Sequence, residues 1–243
     1  MNKLSKEFSA PCYDFDYLMN FKPSSILNYF QEIAGEHANL LKVGKEELSP
    51  NGVYWVLSKI SVNFYNKMQY GNALKLITAP RPKNRIICER EYLLTDNKGN
   101  KIADGISKWC LIDKNTKKIL STNIMEYNID IYENLAIKSS IETFNINMPF
   151  EFCYSYTAGY NDLDFNGHVN NAKYADYIFN AIDLSVYDNK KIKSFQINYL
   201  KEWFAGNTLN FCKNKIDDNN YIVVGKNQNN EVVVSAKIEF DEL

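Results

Sequence analysis

The sequence predicts an α+β fold of two tandem units, each an antiparallel sheet wrapped around one long helix. Three observations predict it. Each half reads as a short strand, a helix and then a run of strands. Short matches recur at one spacing: Val62-Asn63-Phe64 with Ile197-Asn198-Tyr199, and Gly71-Asn72-Ala73-Leu74 with Gly206-Asn207-Thr208-Leu209, each pair 135 residues apart. Each half also carries a polar hairpin turn, Asp96-Asn97-Lys98-Gly99-Asn100 in the first and Asn227-Gln228-Asn229-Asn230 in the second.

The elements follow in order. Residues 8–15 are β-prone and form the first strand. Pro23, Ser24 and Ser25 open a helix, with a serine as its N-cap. Ile26, Phe30, Ile33, His37 and Leu41 recur at helical steps, and Gly44 is the expected stop. His37 on this apolar face reads as a packed core histidine. Strands follow at 53–65, 73–78, 85–95 and 101–113. Residues 121–148 are polar, Asn-rich and weakly patterned. They form a connector, held to the surface by recurring Ile and Tyr, between an N-terminal unit (1–120) and a C-terminal unit (149–243). In the second unit a strand at 150–157 precedes a helix capped by Asn170 or Asn171, whose apolar face is Ala172, Ala175, Ile178, Phe179 and Ile182. Strands at 193–204, 208–213, 221–226 and 231–240 complete it. The helices align at a spacing of 145, pairing Tyr29 with Tyr174 and Ile33 with Ile178. Two such units in tandem make a double hot-dog, either a monomer that is its own pseudo-dimer or a homodimer of such chains.

Composition narrows the function. A net charge of -1 argues against nucleic-acid binding. No apolar run is long enough to span a membrane, and none follows Lys3 and Lys6 to make a signal peptide. Five cysteines without a Cys-x-x-Cys pair fit free thiols, hence a cytoplasmic protein. Two distant histidines and no cysteine cluster argue against a metal, and no cofactor is expected.

The chemistry concentrates in residues 161–177. Asp164, Asn166 and His168 alternate at i, i+2 and i+4, which on an extended segment puts a carboxylate, an amide and an imidazole on one side. That set suits acyl or proton-transfer chemistry. By itself the spacing serves equally well as a polar loop capping a helix.

Asp162-Leu163-Asp164-Phe165-Asn166-Gly167-His168-Val169-Asn170-Asn171 with Lys173-Tyr174 resembles the signature of the acyl-acyl-carrier-protein thioesterases. Gln31-Glu32, His37-Ala38, Tyr54-Trp55-Val56 and Ser107-Lys108-Trp109 resemble that family's first-half landmarks, so the likeness spans nearly the whole chain. With no transit segment ahead of the domain, the bacterial branch is the closer likeness. The resemblance implies hydrolysis of fatty acyl-acyl carrier protein in fatty acid biosynthesis, with catalysis by Asp164, Asn166, His168 and a glutamate on a later strand, matched by Glu202. Alternation along that strand places Gln196, Asn198, Leu200 and Glu202 on one side. Trp203 stands where plant members commonly carry a cysteine, which excludes a covalent cysteine mechanism at that position. At the spacings above, the first-half counterparts of the catalytic set are Met19, Phe21, Pro23 and Lys67. One chemically equipped copy is therefore expected, leaving Met19 and Phe21 to line an acyl pocket or the core. The implied partner is acyl carrier protein, which is acidic. Two basic runs are its candidate receivers, Arg81, Lys83 and Arg85 or Lys190, Lys191 and Lys193. The alternatives are an acyl-CoA thioesterase and a hot-dog 3-hydroxyacyl-thioester dehydratase.

Overall fold

The computed structural model describes residues 2–82, 84–125, 132 and 134–243; Lys83 and connector residues 126–131 and 133 lie outside them. The chain divides into two units, Met1–Ile141 and Glu142–Leu243. The first holds β1 (Leu4–Ser9), α1 (Pro23–Leu40), α2 (Lys45–Leu48), β2 (Val53–Phe64), β3 (Ala73–Pro80), β4 (Ile87–Asp96), β5 (Lys101–Asp113) and β6 (Ile119–Leu120). Its strands run antiparallel in the order β1-β3-β4-β5-β2, with β6 on β5. The second holds β7 (Glu151–Thr157), α3 (Lys173–Asn180), α4 (Leu184–Asn189), β8 (Lys190–Tyr199), β9 (Thr208–Lys215), β10 (Asn220–Lys226) and β11 (Val232–Glu242). Its order is β7-β9-β10-β11-β8. Taken by position within each unit, the two orders are the same, and the fold is a double hot-dog.

Each helix buries the face that its sequence marks. Ile26, Phe30, Ile33 and His37 of α1 are buried, as are Ala175, Ile178 and Phe179 of α3. Phe30 stacks on Tyr92 with ring centroids 4.3 Å apart and lies over Gly105, where a Cβ would come within 2.5 Å of its ring. Only a glycine in β5 lets the helix settle this deeply.

The ends of α1 differ from expectation. Pro23 is its first residue and Lys22 precedes it without a side-chain cap, while Ser24 and Ser25 lie buried inside the first turn. Proline suits this place because its missing N–H has no intrahelical partner there. At the other end Lys42 takes the left-handed conformation (φ 60), and the Val43 N–H returns to the Ala38 carbonyl. Gly44 instead precedes α2.

The described part of the connector is held by the buried side chain of Met125, packed with Val43, Val53, Cys88 and Leu111, and by buried polar groups. Glu91, fully buried, accepts from the Tyr132 hydroxyl and the Leu135 N–H and pairs with Arg81. Asp104, also fully buried, accepts from the Lys138 and Ser139 N–H groups and the Ser139 hydroxyl. Burial pushes its carboxyl up, but those donors with Lys101 and Tyr65 outweigh burial and hold it below the usual range. In the second unit the Gln196 amide brackets Glu142, accepting from its N–H (2.8 Å) and donating to its carbonyl (2.9 Å).

Candidate active site

The predicted catalytic residues lie on a turn, not on an extended segment. Leu163 and Val169 form an antiparallel bridge, and the Asp164 N–H donates to the His168 carbonyl at 2.8 Å. Between them Gly167 takes φ 79, with its N–H on the Asp164 carbonyl at 3.0 Å. The Asp164 carboxylate accepts from the Asn166 N–H at 2.7 Å, an Asx turn that closes the loop. Sequence alternation therefore does not bring Asp164, Asn166 and His168 together, because the backbone reverses between them. Asp164 holds the turn, Asn166 sits at its exposed tip, and His168 emerges on the returning arm.

Glu202 is not on a strand either. β8 ends at Tyr199, and the Leu200 and Lys201 N–H groups both donate to the Val233 carbonyl (2.9 and 3.1 Å). Two successive donors on one acceptor break the alternation, so the face shared by Gln196 and Asn198 does not continue to Glu202. A single backbone bond brings the two segments together: the Val169 N–H donates to the Trp203 carbonyl at 2.8 Å. Their neighbours then meet, with His168 Nε2 3.6 Å from Glu202 Oε1. That exceeds hydrogen-bond length but lets both groups contact one water molecule. Their side chains are 22% and 33% exposed, so solvent reaches them. Phe204 packs edge-on against the His168 ring, centroids 4.9 Å apart.

Trp203, next to Glu202, is a core residue. Its indole donates to the Asn207 carbonyl at 2.8 Å, and Tyr156, Tyr174, Tyr177 and Phe211 surround it. Asn170, one of the two expected caps, bonds the turn leading into α3, whose own N-cap position is Ala172 with no side-chain bond. Its side-chain oxygen takes the Ala172 N–H and its carbonyl the Lys173 N–H, so those two donors at the start of α3 are already engaged.

Sequence reasoning passed over Asp162, which supports the turn from below. It accepts from the Gly159 N–H (2.7 Å), the Tyr156 hydroxyl (3.1 Å) and the Tyr177 hydroxyl (2.5 Å). Burial raises its pKa, yet these donors prevail and hold it below the usual carboxylate range. The Tyr177 hydroxyl is pushed well up by burial and then by Asp162.

The same arrangement in the first unit corrects the sequence alignment of the halves. Phe15 bridges Phe21 as Leu163 bridges Val169, and Tyr29 donates to Asp14 as Tyr177 donates to Asp162. Met19 takes the positive φ of Gly167, and the Asp16 carboxylate accepts from the Leu18 N–H as Asp164 does from Asn166. The first-unit counterparts of Asp164, Asn166 and His168 are therefore Asp16, Leu18 and Asn20, not Met19, Phe21 and Pro23. Met19 is half exposed on its turn and Phe21 is buried core. Asp14-Phe15-Asp16 against Asp162-Leu163-Asp164 was the sequence signal for this register. Lys67 remains the counterpart of Glu202, and its ammonium donates to the Leu18 carbonyl at 3.1 Å. In both units the chain after the strand meets the turn, but only in the second do an amide, an imidazole and a carboxylate occupy those places.

Arg81, Lys190 and Lys193 of the two basic runs are engaged within the fold, while Arg85 and Lys191 are exposed. Arg81 pairs with Glu89 and Glu91. Lys190 donates to the Asp218 carbonyl and Asn219 and pairs with Glu242, while Lys193 lies near Glu239 and Asp241. Lys83 lies outside the described residues. Among those residues no group of three His, Cys, Asp or Glu could hold a metal, and no helix is long and apolar enough to cross a membrane.

Comparison with known proteins places these features. Residues 1–132 match the model of the acyl-ACP thioesterase N-terminal domain, and residues 150–242 that of the C-terminal domain. A chloroplastic palmitoyl-acyl carrier protein thioesterase of Arabidopsis thaliana is 24% identical over 211 residues, 81% of this chain and 51% of the relative. The chain thus spans about half the length of the curated relatives it matches. An acyl-ACP thioesterase from Bacteroides thetaiotaomicron superposes with a TM-score of 0.86 at 26% identity, covering 98% of both chains. The 12:0-ACP thioesterase from Umbellularia californica has the same fold, with a TM-score of 0.86 at 19% identity over 99% of this chain and 98% of that one.

Proposed function

The chain belongs to the acyl-ACP thioesterase family, and on that premise we propose that it hydrolyses fatty acyl-acyl carrier protein to free fatty acid and acyl carrier protein. The observation that carries this reading is the meeting of His168 and Glu202, 3.6 Å apart and open to solvent, in the one unit that also has Asn166 on the adjoining turn.

In this reading Glu202 takes a proton from water, and His168 holds that water in place. The oxygen attacks the thioester carbonyl while the Asn166 amide donates to the developing oxyanion. The tetrahedral intermediate then collapses, the carbon–sulfur bond breaks, and the departing sulfur takes up the proton as the carrier's free thiol. Asp164 serves through the turn, because Asp16 does the same work in a copy without chemistry. Trp203 offers no nucleophile, which favours direct attack by water. The first unit, with Leu18, Asn20 and Lys67 at the matching places, is assigned to holding the acyl chain.

The test is thiol release from acyl carrier protein loaded with a series of acyl chains, beside the same chains on coenzyme A. Hydrolysis faster on the carrier protein is expected, and Glu202→Gln should lower turnover by about 10²–10⁴-fold, the usual contribution of a placed base. Turnover near wild type in Glu202→Gln would remove Glu202 from the role of base.

A further inference from the structure

The unit that carries the chemistry ties its two site segments together with a side chain that its blank copy lacks. Tyr199 is the last residue of β8, and the Leu200 and Lys201 amides on Val233 hold this strand end to the sheet. Its hydroxyl donates to the Asn171 carbonyl at 2.9 Å, just beyond the turn that bears Asn166 and His168. The Ala175 N–H closes on the Ala172 carbonyl at 3.1 Å, so the hydroxyl rather than a helix amide serves Asn171. Burial pushes the Tyr199 hydroxyl well up, and it keeps the proton that it donates.

The first-unit counterpart, 135 residues earlier, is Phe64, the last residue of β2. Packing at this position asks only for a ring, since phenylalanine fills it in the other copy. The first unit makes its side-chain tie elsewhere, with Lys67 on the Leu18 carbonyl at 3.1 Å. In the second unit that place is Glu202, whose ionised carboxylate has no proton to donate to a carbonyl. Tyr199 supplies the donor instead, so two bonds join the segments: Tyr199 to Asn171, and the Val169 N–H to the Trp203 carbonyl at 2.8 Å. They lie two residues apart on the turn side and four apart on the other. One hydrogen bond alone is a pivot, and a second one away from it sets the angle. His168 and Glu202 immediately precede Val169 and Trp203, so that angle sets how Nε2 and Oε1 meet at 3.6 Å.

We propose that Tyr199 is a positioning residue of the hydrolytic site: its hydroxyl fixes the turn against the end of β8 and thereby His168 against Glu202. This rests on the thioesterase reading for its kinetic consequence but not for its structural one. The experiment compares Tyr199→Phe, which installs the side chain of the blank copy, with Tyr154→Phe. Tyr154 is a half-buried tyrosine of the same unit whose hydroxyl donates to the Tyr177 carbonyl of α3 at 2.6 Å. Both variants lose one bond to a backbone carbonyl and keep the ring. For Tyr199→Phe we expect kcat lower by roughly 10–100-fold with KM unchanged, as for an oriented group displaced by a fraction of an ångström. Tyr154→Phe should lower the melting temperature without lowering kcat.

Nuclear magnetic resonance of the histidine rings reads the same displacement without turnover, since the chain has two histidines. Phe204, two residues after Glu202, packs edge-on to the His168 ring at 4.9 Å, and its ring current makes the His168 protons a gauge of how the segments lie. These signals should move in Tyr199→Phe and stay in Tyr154→Phe, with His37, bonded to Arg90, as internal reference. Unmoved His168 signals, an unchanged kcat in an active enzyme, or a kcat loss equal in the two variants would overturn the proposal. Moved His168 signals in an enzyme inert toward every acyl thioester would uphold the positioning role and refute the thioesterase reading instead.

Discussion

Replacing Asp162 by asparagine tests how firmly the active turn is built. The carboxylate accepts three hydrogen bonds, two on Oδ2 from the Gly159 N–H and the Tyr156 hydroxyl, and one on Oδ1 from the Tyr177 hydroxyl. Asparagine keeps one oxygen. Placing it where Oδ2 stood preserves the bond to Gly159, which has no freedom to reverse, and turns the amide toward Tyr177, whose hydroxyl can rotate and accept. The Tyr177 O–H proton loses this acceptor, and the three charge-assisted bonds become neutral. The difference is about 1 kcal/mol each, so the loss should be about 3 kcal/mol at neutral pH. In a chain of this size that is roughly 6–12 °C in Tm. Urea denaturation gives the total, and hydrogen exchange of amides in β7 to β11 reads the second unit separately. The acid dependence checks the cause. Because the folded pKa of Asp162 is depressed, its contribution is complete above the ordinary carboxylate range and disappears as pH falls through the depressed value. The gap between wild type and Asp162→Asn should therefore stay constant from pH 7 to about 5 and close below about 4. A loss under 1 kcal/mol, or a gap that persists in acid, would refute the assignment of charged bonds to this site.

Two further perturbations probe the first unit. Gly105→Ala puts a Cβ within 2.5 Å of Phe30, which cannot retreat because it stacks on Tyr92. We expect about 1–3 kcal/mol of overpacking, measured by urea midpoint and partly relieved by adding Phe30→Leu; no loss would mean that the helix can lift. Arg81→Ala leaves the fully buried Glu91 without its cation. Since Arg81 is itself one-third exposed, a discounted loss of about 2–3 kcal/mol is expected. The salt dependence of turnover on carrier protein should not change, and a flattened salt profile in Arg81→Ala would restore that guanidinium to the docking surface.

How much was legible in the sequence follows from what each signal measures. Period and composition report burial, so strands such as Lys101–Asp113 and the buried faces of α1 and α3 were readable to within a few residues. Turn chemistry was readable where glycine or asparagine forces it, as in the two hairpins at Gly99 and Asn230, both at positive φ. Loops between strand and helix resist both signals, because backbone bonds that leave no periodic trace decide their course. The bond from Val169 to Trp203 joins the two halves of the site, and nothing in the spacing of Asp164, Asn166 and His168 announces it.

The alternation argument singled out Asp164, Asn166 and His168 for a reason the backbone does not support. The turn holds one aspartate in each unit, so Asp164 is shared architecture. The distinctive substitutions are Leu18 to Asn166, Asn20 to His168, Lys67 to Glu202 and Phe64 to Tyr199. All four cluster where the end of the β-strand meets the turn. In the blank unit the same meeting place is closed by Lys67 on a backbone carbonyl, a bond that holds the loop and leaves no base. The junction is one that both copies make, and the second copy holds it with the backbone bond from Val169 to Trp203. Glu202, the residue before Trp203, is thereby set with its carboxylate beside His168.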